Sequence, residues 1–187
     1  MGTLVLNGAT SGSTTIQPTD AATVTATLPG ATGTIMVSGN MPAFSAYVNS
    51  SQSLSANTTT KLGFNATTFD TTTSYNTSLY RFNATVAGYY QVNACVRVGL
   101  GTQSNQTIET FLNLYKNASA QQRGADNVGT QIYSPGWFGM VFNSIIYLAA
   151  NDYIEMYAFV GGGSGGPYTV TVDSSTSYWN ACLLRTA

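Results

Sequence analysis

From Met41 to the C-terminus, short apolar runs alternate with clusters of Gly, Asn, Asp and Pro, and within each run the apolar side chains recur on the two-residue period of a half-buried strand. The pattern predicts strands over Ala43–Asn49, Thr59–Asn65, Tyr80–Ala84, Tyr89–Val98, Ile108–Lys116, Phe138–Leu148, Tyr153–Val160, Thr169–Val172 and Tyr178–Leu184. Helical periodicity does not compete with it. The Ala content of Ile145–Ala150 suits a helix, but Asn151-Asp152 ends that run after too few residues. The alternation is clearest along Tyr89–Val98, where Tyr90, Val92, Ala94, Val96 and Val98 form one face and Tyr89, Gln91, Asn93, Cys95 and Arg97 the other. The first face reads as sandwich core.

Residues 1–40 have a different texture. Thr, Ser, Gly and Ala dominate, and Lys, Arg, Tyr, Phe and Trp are absent. Gly2-Thr3-Leu4-Val5-Leu6-Asn7-Gly8 is echoed by Gly33-Thr34-Ile35-Met36-Val37-Ser38-Gly39, a weak internal repeat of two Gly-bounded strands. Ser13–Gln17 and Thr23–Leu28 read as strands between them. So few large side chains cannot offset the entropy of ordering the segment, which therefore needs neighbours. The organisation expected is an arm over 1–40 and an all-β head over 41–187.

Charged residues are 7 % of the chain, against about 25 % in ordinary globular proteins, and the net charge is −1. Without a basic stripe to displace counterions, nucleic-acid binding is not expected. No run reaches the roughly 18 apolar residues of a membrane span, and no basic, apolar leader opens the chain, so neither membrane insertion nor signal-peptide export is expected. Cys95 and Cys182 lie in strand-like runs outside any metal-binding spacing and are expected to be free, small buried hydrophobes.

Several blocks resemble, in order, the globular domain of the C1q/TNF family. Pro42-Ala43-Phe44-Ser45-Ala46-Tyr47 is similar to its opening strand, and Tyr80-Arg81-Phe82-Asn83-Ala84-Thr85-Val86-Ala87-Gly88-Tyr89-Tyr90-Gln91-Val92 to its central signature. Leu114-Tyr115-Lys116-Asn117, Ile145–Ile154 and the closing Ser177-Tyr178-Trp179-Asn180-Ala181-Cys182-Leu183-Leu184 continue the resemblance. It implies an all-β jelly-roll sandwich and a homotrimer, with Tyr89, Gln91, Arg97 and Tyr178 facing the three-fold axis. Residues 1–40 lack the Gly-X-Y period of a collagen stalk. They resemble instead the Thr/Gly-rich β-repeats of phage fibres and related virion proteins.

The chain contains no His, which removes Ser-His-Asp and Cys-His catalysis. The carboxylates Asp20, Asp70, Glu109, Asp126, Asp152, Glu155 and Asp173 read as turn residues or solvated strand positions, with Glu155 facing away from Asp152. No enzyme, cofactor or metal site is expected. Some C1q-like heads bind Ca²⁺ near the trimer apex, and Asp126, Asn127 and Asp173 are the residues that resemblance would enlist. Gly161–Pro167 lacks the Lys and following helix of a phosphate loop and reads as a flexible inter-strand loop. Tyr133, Trp137 and Tyr168 lie in stretches that look like ligand-facing loops.

Together these readings lead to a trimeric, non-enzymatic protein of the virion surface, partnered by itself and by other virion proteins such as the major capsid protein. Met1 leads straight into the repeat with no adaptor segment, which favours a capsid decoration protein. The alternative is a tail-fibre tip that recognises a host-surface glycan or protein.

Overall fold

A computed structural model of the chain describes residues 4–7, 9–16, 41–99, 107–129, 136–162 and 168–187. The chain divides into two compact units, Met1–Thr34 and Ile35–Ala187. The expected strand Thr23–Leu28, the second copy of the repeat at Gly33–Gly39 and the rest of residues 17–40, up to the expected 40/41 boundary, lie outside the described residues.

In the first unit, β1 (Leu4–Asn7) and β2 (Ser13–Ile16) form an antiparallel hairpin, with Leu4 opposite Ile16 and Asn7 opposite Ser13. Val5, Leu6 and Ile16 are exposed on it. A two-stranded hairpin is marginal in water by itself, so this one gains little from its own contacts.

The second unit begins with β3 (Ala43–Tyr47), β4 (Gln52–Leu54), β5 (Thr60–Lys61), β6 (Ala66–Asp70), β7 (Tyr75–Asn76), β8 (Arg81–Asn83) and β9 (Gly88–Gly99). It continues through β10 (Ile108–Lys116), β11 (Ser119–Arg123), β12 (Asn127–Gly129), β13 (Trp137–Leu148), β14 (Tyr153–Gly161), β15 (Tyr168–Val170) and β16 (Tyr178–Thr186). Two seven-stranded sheets result. One runs β4-β15-β9-β16-β3-β6 with β13 on the free side of β9, and the other runs β11-β10-β14-β8-β7 with β12 on β10 and β5 on β14.

The alternation in the sequence decides what lies between them. Tyr90, Val92, Ala94, Val96 and Val98 of β9 are buried against Ile108, Leu112 and Leu114 of β10 and Ile154, Met156, Ala158 and Val160 of β14 in one core cluster. Near one end, Trp179 meets Phe44 edge-on at 5.1 Å and Tyr75 at 5.5 Å, while Phe44 stacks on Phe82 at 4.9 Å. The Phe44 and Ala46 spacing of the opening motif thus places both side chains inward.

Two other motif blocks meet at a polar latch. Asn117 and Ala118 both have positive φ (50° and 65°), as a two-residue type I′ hairpin requires, and they turn β10 into β11. From that turn, Lys116 Nζ contacts Asp152 Oδ2 at 2.7 Å and Asn117 Nδ2 donates to Asp152 Oδ1 at 2.7 Å. Asp152 also accepts from the Ala149 amide at 2.8 Å, closing the β13–β14 turn. The Lys116 ammonium, helped by these N–H donors, holds the Asp152 carboxyl below its ordinary pKa. At Gly88, where the chain enters β9, the backbones approach closely, since a Cβ there would sit 2.3 Å from the Arg185 carbonyl oxygen.

The expected strand Thr59–Asn65 shrinks to Thr60–Lys61. Strands β4, β6, β7, β11 and β12 were not anticipated, for they carry few apolar residues; every residue of β11 is exposed.

Candidate functional site

The outward face of the sheet containing β9 is built on the polar side of the alternation already described. Strand β13 lies antiparallel on one side of β9, pairing Tyr147 with Tyr89, Ile145 with Gln91, Asn143 with Asn93 and Val141 with Cys95. Strand β16 lies on the other side, pairing Cys182 with Gln91, Asn180 with Asn93 and Tyr178 with Cys95, and β3 follows with Ala43, Ser45 and Tyr47. These registers bring Tyr89, Gln91, Arg97 and Tyr178, the four residues expected at a subunit interface, onto one face.

The main apolar contributor was not anticipated. β13 buries Met140, Phe142, Ile146 and Leu148 on its inner side, yet it also carries Val141, Ile145 and Tyr147 outward, Ile145 54 % exposed. A strand apolar on both faces is what burial on both faces produces. Leu184 adds to the patch from the bulge of β16. A near-continuous apolar run conceals its period, so the face could be found only by fixing the register against β9.

Across the middle of the patch runs a polar row. Asn143, Asn93, Asn180 and Ser45 stand side by side on four adjacent strands. Asn93 Nδ2 donates to Asn180 Oδ1 at 3.1 Å, and Gln91 Nε2 donates to Asn93 Oδ1 at 3.1 Å.

Both cations of the face rest on aromatic rings. The Arg185 guanidinium lies 4.7 Å over Tyr89, whose ring is 5.5 Å from that of Tyr147, and Arg97 lies 4.2 Å over Trp137. Trp137 covers Gly99, where a Cβ would meet its ring at 2.9 Å. Cys95 and Cys182 are unpaired as expected, but they belong to this face rather than to the core: Cys95 is half-buried and Cys182 exposed. Burial pushes the Cys95 thiol up.

The ligand-facing trio is described only in part. Tyr133 lies outside the described residues, as do residues 163–167 of the expected flexible loop, and Trp137 is the first residue of β13 on the open face. Tyr168 is corrected outright. Its ring is buried and its hydroxyl donates to the Gly162 carbonyl at 3.0 Å.

Asp20 lies outside the described residues; the other carboxylates are occupied by structure. Asp70 accepts from the amides of Thr72, Ser74 and Tyr75, and Asp173 accepts the Ser175 amide at 2.7 Å. Asp126 and Glu109 flank Arg123, and Asn127 belongs to β12 rather than a loop. Glu155, expected on a solvated face, is buried: it is ion-paired to Lys61, and the Tyr157 hydroxyl donates to it at 3.3 Å. Among the described residues no group of three or more His, Cys, Asp or Glu side chains could hold a metal, and no helix is long and apolar enough to cross a membrane.

No protein-family model and no curated protein matches the chain. Solved structures do. The globular domain of zebrafish complement 1qA protein is similar with TM-score 0.55 and 15 % identity, over 78 % of this chain and 98 % of that one. Murine APRIL gives TM-score 0.53 at 9 % identity, over 77 % and 99 %. Eiger TNF from S. frugiperda gives 0.52 at 13 %, over 79 % and 93 %. The chain therefore has an all-β, C1q/TNF-like jelly-roll sandwich fold.

Proposed function

We propose that this chain is a non-enzymatic homotrimeric assembly module whose copies associate through the open face of β9, β13 and β16. The observation that carries the reading is β13, apolar inward and apolar outward, with Val141, Ile145 and Tyr147 left to solvent in the single chain. A stable contact takes about 800 Å² from each partner, which a face four strands wide can supply. The occupied carboxylates and the absence of His favour a binding or structural role over catalysis.

The setting we assign is the surface of a virus particle, where the head reinforces a capsid shell and the arm over residues 1–40 grips it. The exposed apolar side chains of the β1–β2 hairpin support this reading, because they gain stability only against a partner. The second reading is a fibre tip presenting Trp137 to a host glycan or protein, and the half-exposed indole is what favours it.

Copy number and position on purified particles test the setting. Many copies arrayed over the shell are expected. A few copies at a tail extremity would replace decoration with the fibre reading, and absence from particles would overturn the virion setting.

A further inference from the structure

We infer that the amide row of the open face sets the register and number of copies in the assembly, while the apolar residues around it supply the affinity. The inference rests on the assembly reading above and adds what that reading lacks, a reason for one arrangement. Asn143, Asn93 and Asn180 stand in register in the middle of the face. Val141, Cys95 and Tyr178 form the row on one side, and Ile145, Gln91 and Cys182 the row on the other.

Between described residues, the row is only partly satisfied. Gln91 Nε2 and Asn93 are used within it, but Gln91 Oε1, Asn180 Nδ2 and the whole Asn143 amide make no hydrogen bond to another described residue. In a free chain water serves them. Once the surrounding apolar side chains are covered, water is excluded and these groups need protein partners.

The chemistry of the amide selects the occupant. An amide both donates and accepts, so a row of amides is complementary to another copy of itself, which a row of like charges is not. With Arg97 and Arg185 drawn to Trp137 and Tyr89 at the ends of the face, its centre presents no charge to repel an identical copy. An arrangement that slides the rows apart strands these groups, and each one left unpaired disfavours that arrangement roughly tenfold or more. Purely apolar contacts have no such preference. A polar residue in an apolar seam fixes register and order in coiled coils by the same logic.

The test replaces the amides by apolar residues of similar size, Asn143→Val alone and Asn93→Val with Asn180→Val, and weighs the full-length chain by native mass spectrometry and light scattering. Asn143 is exposed and more than half of β13 is already β-branched or aromatic, so the single variant is expected to fold. Both variants are expected to assemble at least as tightly as the wild type but to lose its single mass, giving several orders side by side. One homogeneous species identical to the wild type would overturn the inference, and so would monomers, which would make the amides a source of affinity. The assembly reading fails separately: if the unmodified chain is monomeric, or if Ile145→Asp leaves its oligomer intact, that reading falls whatever the amide variants do.

Discussion

The two sheets differ most in what they do with their outward aromatic and aliphatic side chains. Among the described residues of the β10–β14 sheet the outward aromatics are paired within the chain, with Phe111 stacked on Phe159 at 4.7 Å and Tyr115 tilted against Tyr157 at 4.1 Å, while Val128 of β12 stays exposed at the sheet edge. Arg123 lies 3.7 Å over Phe111, Arg81 lies 4.5 Å over Tyr153, and Lys61 closes on Glu155. Among the described residues of the β9 sheet the lids sit at the two ends, Arg185 on Tyr89 and Lys116 over Tyr147 at one and Arg97 on Trp137 at the other, leaving Val141 and Ile145 bare between them. One face pairs its aromatics across its own strands; the other keeps an apolar patch open, which the proposed assembly would cover.

The largest contrast is expected between a charge placed on the open face and an aromatic trimmed from the other. Val141→Asp with Ile145→Asp is expected to abolish assembly at micromolar concentration while the sandwich still folds, because a carboxylate cannot be buried unpaired. Tyr157→Ser, on the β10–β14 sheet, should leave the mass unchanged in light scattering and cost about 1 kcal/mol of stability for the lost ring contact with Tyr115.

Next in size is the ion pair. Lys61→Met strands the buried Glu155 and should destabilise the fold by roughly 3 kcal/mol in denaturant titrations, again with no change in mass. A smaller effect sharpens the role of the latch. Asp152→Asn should cost about 1.5 kcal/mol near neutral pH. The folded carboxyl titrates below its unfolded value of about 3.9, so its contribution is full above that value and fades as pH falls through the lowered folded pKa. The stability gap between variant and wild type should therefore close in strong acid. The smallest effect is expected from Arg97→Glu, which removes a cation–π contact of about 1 kcal/mol and should raise the fraction of free chain only on dilution.

How much of this was legible in the sequence depended on whether a strand keeps polar and apolar residues apart. The core face of β9 could be assigned residue by residue, and with it the placement of Tyr89, Gln91 and Arg97, because the alternation there is unbroken. β13 hid its period by being apolar on both sides, so Val141 and Ile145 emerged only once Asn143 was registered against Asn93. β6 and β11 were invisible for the opposite reason, having no apolar side at all. Tyr168 looked like loop surface because glycines precede it, and Glu155 looked solvated because its partner Lys61 is 94 residues away. Local pattern reports burial, not partnership.

The most direct test of the account is the mass of the unmodified chain in solution at micromolar concentration, measured by light scattering beside the Val141→Asp, Ile145→Asp variant. Three times the 19.7 kDa of one chain is expected for the former and 19.7 kDa for the latter. A wild-type mass of 19.7 kDa would contradict it.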